Sequence, residues 1–349
     1  MAISQKVEAL MTKASFLRRL FEEGLRMRKE FGAENVYDFS LGNPILEPPE
    51  KVRATLKRLA EEQPVGLHRY MPNAGHPEAR EKIAAYLQSE MKVDITLEDI
   101  VMTVGAAGAL NTALKSLLDP DDEVVVVAPY FPEYRFYVDN HGGKLVIAES
   151  GQDFDLDLDE LEKKIGPRTK ALILNSPNNP TGRMYTAERL QELGELLARK
   201  EKSLGRPITV LSDEPYRKIV YDGLRAPCLL AAHPNSILIT SHSKDLGLAG
   251  ERIGYAAINP RHADRQALRD AITFTNRAFG YVNAPSLFQH LAAEAQAESV
   301  PMAVYQELRD LFCEGLTQAG YEFIKPQGAF YLFPNISANK YVLGKVYLA

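Results

Sequence analysis

The sequence has no uninterrupted run of about 18 apolar residues, so it offers no transmembrane helix. Its N-terminal stretch, MAISQKVEALMTKASFLRRLFEEGLRMRKEFG, carries acids and bases throughout and lacks an apolar h-region, so this stretch is not expected to be a secretory signal peptide. Cysteine is scarce. Cys228 and Cys313 form no CxxC and no metal spacing, so a reducing, cytoplasmic compartment is expected. Positive charge is not in excess: 41 Lys and Arg stand against 46 Asp and Glu. A net charge of −5 gives no general attraction to nucleic acid or anionic membrane. With 23 glycines and 21 prolines there is no collagen-like or low-complexity composition, and no internal repeat occurs. No GxxxxGK[ST] is present, and GAAGAL (105–110) is not a GxGxxG fingerprint.

What is present fits a globular enzyme-sized chain. The 349 residues, 45% hydrophobic and 25% charged, suffice for one large domain and a smaller one. The N-terminal stretch repeats Val7, Leu10, Met11, Leu17, Leu20, Phe21 and Leu25 at helical spacing and is expected to be an amphipathic helix. Apolar runs at 100–104, 123–128, 144–148, 170–174, 208–211, 237–240 and 253–258 read as strands, nearly continuous and so buried on both faces. Helical patterns at about 108–118, 132–141, 158–165, 186–201 and 261–275 alternate with them. This rhythm predicts an α/β fold with a mostly parallel, helix-covered sheet. After 285 come two helices (285–298 and 300–319), then YEFIKPQGAFYLFPNI, which reads as two short strands about a glycine turn. The expected division is an N-terminal arm over 1–45, a large domain over 46–284 and a C-terminal part over 285–349. Arm and C-terminal part together would form a smaller α+β unit.

In an open α/β sheet, ligands bind beyond the carboxyl ends of the strands. Those ends carry NSPNNPTG (175–182), SDEPY (212–216), SHSK (241–244) and the GAAGAL helix start. Lys244 has two readings: a solvated surface charge, or a desolvated amine tuned by Arg252 to attack a carbonyl carbon. Ser241 and Ser243 flank it, and Gly247 and Gly250 leave room for close approach. Asp213 is either a turn aspartate or a buried carboxylate held beside a heterocyclic nitrogen. Tyr216 could reach the same ligand or cap a domain boundary. The free N–H groups opening GAAGAL suit a phosphate, although a tight turn explains the same residues. Asn179, between Asn178 and Pro180, would be rigidly aimed.

In order, YMPNAGHPEAR, VGAAGAL, APYFPEY, NSPNNPTG, SDEPY and SHSKDLGLAGERIGY resemble the class I/II aminotransferases, the pyridoxal-5′-phosphate (PLP) enzymes of the aspartate aminotransferase fold. The resemblance spans about residues 37–333. By it, Lys244 matches the Schiff-base lysine and Asp213 the partner of the pyridine nitrogen. Tyr216 and Asn179 match the groups bonding the ring's phenolic oxygen, and Tyr130 the stacking aromatic. Ala106, Ala107, Ser241, Ser243 and Arg252 match the phosphate site. Gly42 matches a glycine near the substrate carboxylate. Tyr70 matches a tyrosine that reaches the partner subunit's phosphate, which implies a homodimer with shared active sites. The implied reaction moves an amino group between an α-amino acid and a 2-oxo acid. A C–S lyase or decarboxylase on the same fold, or a PLP-binding regulatory or inactive protein, is the alternative. Two departures stand out. The family's carboxylate-clamping arginine lies beyond GAFYLF, whereas here the last arginine is Arg309, so amino acids are expected to bind weakly if that arginine is absent. GAAGAL also has alanines where many relatives place a hydroxyl. Arg277 is open between meeting an acidic substrate in a neighbouring site and ending a helix in solvent.

Overall fold

The computed structural model describes residues 2–37 and 42–336, the side chains of 12–21 excepted. Seven strands form one sheet: β1 (Ile100–Thr103), β2 (Glu123–Ala128), β3 (Lys144–Glu149), β4 (Thr169–Asn175), β5 (Thr209–Asp213), β6 (Ser236–Ser241) and β7 (Gly254–Ile258). Their order is β1-β7-β6-β5-β4-β2-β3. Only β7 runs against its neighbours; the other pairings are parallel. The helices are α1 (Gln5–Phe31), α2 (Glu50–Glu62), α3 (Pro77–Met91), α4 (Gly105–Leu117), α5 (Tyr134–Asn140), α6 (Leu158–Lys164), α7 (Ala187–Leu204), α8 (Leu229–Ala232), α9 (Arg265–Ala278), α10 (Ser286–Glu294) and α11 (Met302–Gln318).

Alternation along the strands explains the continuous apolar runs. In β2, Val124 and Val126 face a core shared with Leu110 and Leu114 of α4 and Leu268 and Ile272 of α9. Val125 and Val127 face the opposite core, filled by Leu190, Leu193, Leu196 and Leu197 of α7. Both faces are covered, so both sets of side chains must be apolar. On that second face, toward β1 and β7, α2, α3 and α10 close a third core around Ile83, Met102 and Leu291. Local signals set the ends of α7: the Thr186 hydroxyl accepts from Arg189 N at 3.1 Å, and Gly205 takes a left-handed φ of 68°.

The ends of the chain differ from the middle. Along α1, Val7, Met11 and Leu25 are each about half exposed, so in a single chain its apolar stripe lacks a cover at these positions. Leu17, Leu20 and Phe21 lie outside the described side chains. The two strands expected within 321–336 do not form among the described residues; isolated bridges Val220↔Gly328 and Glu322↔Asn335 stand there instead. The reason lies in the backbone partners. Gln327 N and Gly328 N both donate to Gly182 O, Ala329 N donates to Ile219 O, and Tyr221 N donates to Gln327 O. The segment is seated on two loops, which leaves no ladder to a partner strand.

Candidate active site

The strand ends converge at the start of α4. Gly105 opens that helix at φ +76°, and a Cβ on Gly254 would come within 2.9 Å of the Gly105 Cα. Glycine at both positions therefore lets β7 approach the helix N-terminus. In the sheet register Gly254 sits opposite Ser241 on one side and Thr103 on the other. Arg252, in a left-handed conformation, is tied to Ala249 O at 3.0 Å, and its Nη2 would lie 3.2 Å from a Cβ on Gly105. Ser241 and Ser243 are buried with their hydroxyls 3.1 Å apart. A guanidinium, two hydroxyls and the unpaired N–H groups around Ala106 and Ala107 thus gather at one helix N-terminus, an arrangement suited to a phosphate.

Asp213 closes β5, opposite Asn175 at the end of β4. Asn175 Nδ2 donates to Asp213 O at 2.8 Å, while its Oδ1 accepts from Asn179 N at 2.6 Å. One asparagine side chain therefore ties the Asp213 backbone to the loop that carries Asn179. Asp213 is 5% exposed. Its Oδ2 accepts from the Tyr134 hydroxyl at 2.5 Å, and its Oδ1 is buried without a hydrogen-bond partner. Burial pushes this carboxyl up to about 7; Tyr134 pulls the other way and the neighbouring Glu214 charge adds to the rise. Phe131 stands edge-on to Tyr134 with ring centroids 5.5 Å apart, and the half-buried Tyr130 packs on the α4–α9 core beside it.

Lys244 Nζ donates to Gly42 O at 3.0 Å and stands 5.3 Å from the centre of the Phe330 ring. Burial, and secondly the Arg252 charge, lower its ammonium to about 8. Phe330 also meets Tyr216 edge-on at 5.4 Å. The Tyr216 hydroxyl lies 2.6 Å from that of Tyr331 and pairs with the Asn179 side chain; burial pushes it well above the usual tyrosine range. Lys244, Asp213, Tyr216, Asn179, Arg252, Ser241, Ser243, Ala106, Ala107 and Gly42 are thus linked through shared neighbours.

Tyr70 is not brought to this site within one chain, being 95% exposed. Arg277 is exposed in the last turn of α9. Arg309 is engaged elsewhere: it grips Asp222 with two bonds of 2.9 and 2.7 Å, donates to Pro326 O at 2.8 Å and lies 4.5 Å from the centre of the Tyr221 ring. Tyr134, Asn175 and Tyr331 also border the site; they lie within APYFPEY, NSPNNPTG and GAFYLF, but the sequence reading singled out none of them. Their partners are 79, 38 and 115 residues away.

The chain neighbours of the two central residues face a different cluster. Glu214 accepts from Ser212 Oγ at 2.5 Å and pairs with Arg217 at 2.7 Å. Asp245 is 3.2 Å from His242 Nδ1 and 3.3 Å from Lys218 Nζ. These pairs border a cavity of about 350 Å³ lined also by Tyr86 and Gln296. The charges named here are paired with one another, and neither Asp213 nor Lys244 lines the cavity. Among the described residues no cluster of three His, Cys, Asp or Glu could hold a metal ion, and no helix is long and apolar enough to cross a membrane.

Comparison with known proteins points the same way. A family model described as aminotransferase class I and II matches residues 33–347. A probable aspartate/prephenate aminotransferase of Thermus aquaticus is 32% identical over 342 residues, 96% of this chain and 85% of the relative. An aspartate aminotransferase of Geobacillus stearothermophilus is 32% identical over 86% of this chain and 76% of its own. Among solved structures, an amino transferase from Eubacterium rectale superposes with a TM-score of 0.92 at 41% identity, covering 96% of this chain and 85% of that one. The aspartate aminotransferase from Thermus thermophilus with maleate gives 0.82 at 29% identity, covering 97% and 86%.

Proposed function

The chain belongs to the class I and II aminotransferases, and from that premise we propose that it holds PLP on Lys244 and exchanges an amino group between an α-amino acid and a 2-oxo acid. The observation that carries the cofactor assignment is the buried, partnerless Oδ1 of Asp213. A carboxylate left this way is costly unless a proton-bearing group meets it, and a pyridinium N–H is such a group. The rest of the donor set fits the same molecule. Arg252, Ser241, Ser243 and the amides of Ala106 and Ala107 would hold its phosphate, Tyr216 and Asn179 its phenolic oxygen, and Tyr130 a ring face. When bound, PLP supplies an electron sink for charge released at the substrate Cα.

The protein's own contribution is position and proton handling. Asp213, fixed by Tyr134, would keep the ring nitrogen protonated. The Lys244 ammonium is lowered to about 8, so near neutral pH a useful fraction of Nζ is free to take up or return a proton. Phe330 and the Gly42 segment cover that nitrogen and limit its access to water.

Tyr70 at 95% exposure, Phe274 at 66% and the uncovered stripe of α1 support a homodimer in which Tyr70 reaches the partner subunit's phosphate site. The reading also takes 46–284 as the cofactor-binding unit, with 1–45 and 285–349 beside it, and a cytoplasmic setting. The test is chemical. Borohydride reduction followed by peptide mapping should fix the cofactor to Lys244; an adduct on any other lysine overturns the assignment. A scan of donors including aspartate and aromatic amino acids, the substrates named for relatives, should bleach the bound cofactor for at least one of them.

A further inference from the structure

We infer that Tyr331 is a positioning residue that sets the proton direction of Tyr216, and so the strength with which Tyr216 donates to the ligand's phenolic oxygen. The inference rests on the reading of Tyr216 given above. Two hydroxyls 2.6 Å apart hold two protons and share one bond. If Tyr216 donates to Tyr331, its proton is unavailable to a ligand. If Tyr331 donates to Tyr216, the Tyr216 proton is not spent on Tyr331, and accepting a bond makes Tyr216, which also pairs with the Asn179 side chain, a stronger donor.

Three contacts hold Tyr331 in place. Its ring meets Tyr216 edge-on at 5.6 Å and Phe330 at 5.1 Å, and its hydroxyl fills the space that a Cβ on Gly42 would enter. Gly42 in turn carries the carbonyl that accepts from Lys244 Nζ at 3.0 Å. The residue is 6% exposed, so water does not substitute freely for its hydroxyl. Ala329 N on Ile219 O and Gln327 N on Gly182 O anchor the segment that delivers it.

The readout is the pH midpoint of the absorbance change of lysine-bound PLP, measured without substrate. A donor on the phenolic oxygen withdraws negative charge from the neighbourhood of the Lys244 nitrogen and lowers that midpoint. Strengthening a charge-assisted hydrogen bond by about 10–30% corresponds to about 0.1–0.7 pH unit. Tyr331→Phe, which keeps the ring and removes the donor, should therefore raise the midpoint by about 0.3 pH unit. Tyr331→Leu should move it in the same sense. In a Tyr216→Phe background, Tyr331→Phe should add nothing, because the relay has lost its second member. An unchanged midpoint in both Tyr331 variants, or a shift that persists without the Tyr216 hydroxyl, overturns the inference. A parent protein that shows no lysine-bound PLP absorbance refutes the proposed function and this inference with it. A parent with normal absorbance and an immobile midpoint refutes this inference alone.

Discussion

Asp213 should make the stability of the cofactor-free protein fall as pH rises, and Asp213→Asn should abolish that part of the fall. In the folded chain burial pushes the carboxyl up to about 7; in an unfolded chain it returns to about 3.9. Below the unfolded value both states are protonated and the group adds no penalty. Between about pH 4 and 7 the folded state binds the proton that the unfolded state has lost, so stability drops with pH and is fully reduced above 7. About three pH units at about 1.36 kcal/mol each amount to roughly 4 kcal/mol. An asparagine has the same shape and cannot ionise. The advantage of the cofactor-free variant over its parent should therefore grow by roughly 2–3 kcal/mol between pH 5 and pH 8. Urea unfolding followed by circular dichroism reads this difference directly, and other titrating groups cancel between parent and variant. Added PLP should reverse the order: it should stabilise the parent more at pH 8 than at pH 5 and should do little for the variant. A variant that is never more stable than the parent at pH 8, or an advantage that does not change with pH, would refute the account of Asp213.

Three further outcomes follow from the geometry. Lys244→Ala should lower kcat by about 10²–10⁴-fold, the usual contribution of a positioned acid–base group, in steady-state transamination assays. Tyr134→Phe removes the hydrogen bond on Asp213 Oδ2 and should push that carboxyl further up by about one pH unit; it should weaken PLP retention about fivefold at pH 7 in a fluorescence titration. Arg309→Met should cost about 2 kcal/mol in urea unfolding and leave the Lys244–PLP absorbance unchanged. The cost stays below the 3–5 kcal/mol of a fully buried pair because Asp222 is 47% exposed and can hydrate.

Much of the framework was legible because strands buried on both faces must be apolar at every position. The runs at 123–128 and 170–174 became β2 and β4 nearly residue for residue. Helix α4 begins at Gly105, three residues before the periodic pattern, because glycine at positive φ can open a helix that its small residues do not advertise. GAFYLF has the aromatic, alternating look of a strand, yet its backbone bonds to the loops at 182 and 219–221, a choice that only tertiary structure reveals. The site divides in the same way. Lys244 and Asp213 stand within four residues of the ends of apolar runs and could be named. Tyr134, Asn175 and Tyr331 act through hydroxyl and amide contacts between distant segments, for which neither periodicity nor spacing carries a signal. The reversed direction of β7 was likewise unmarked, since a short apolar run reads the same in either orientation.

The alternation at the end of β5 has a consequence for how this gene can change length. Asp213 faces the candidate cofactor site while Ser212 and Glu214 share the other side. This strand end therefore carries two chemical alphabets in alternate positions. A one-residue insertion or deletion in β5 shifts the phase and exchanges them, bringing a serine or an already paired carboxylate into the site and sending Asp213 into the ion-pair cluster. Substitutions here alter one letter, whereas a single-residue change in length rewrites the message, so this strand should tolerate replacement far better than any change in residue count.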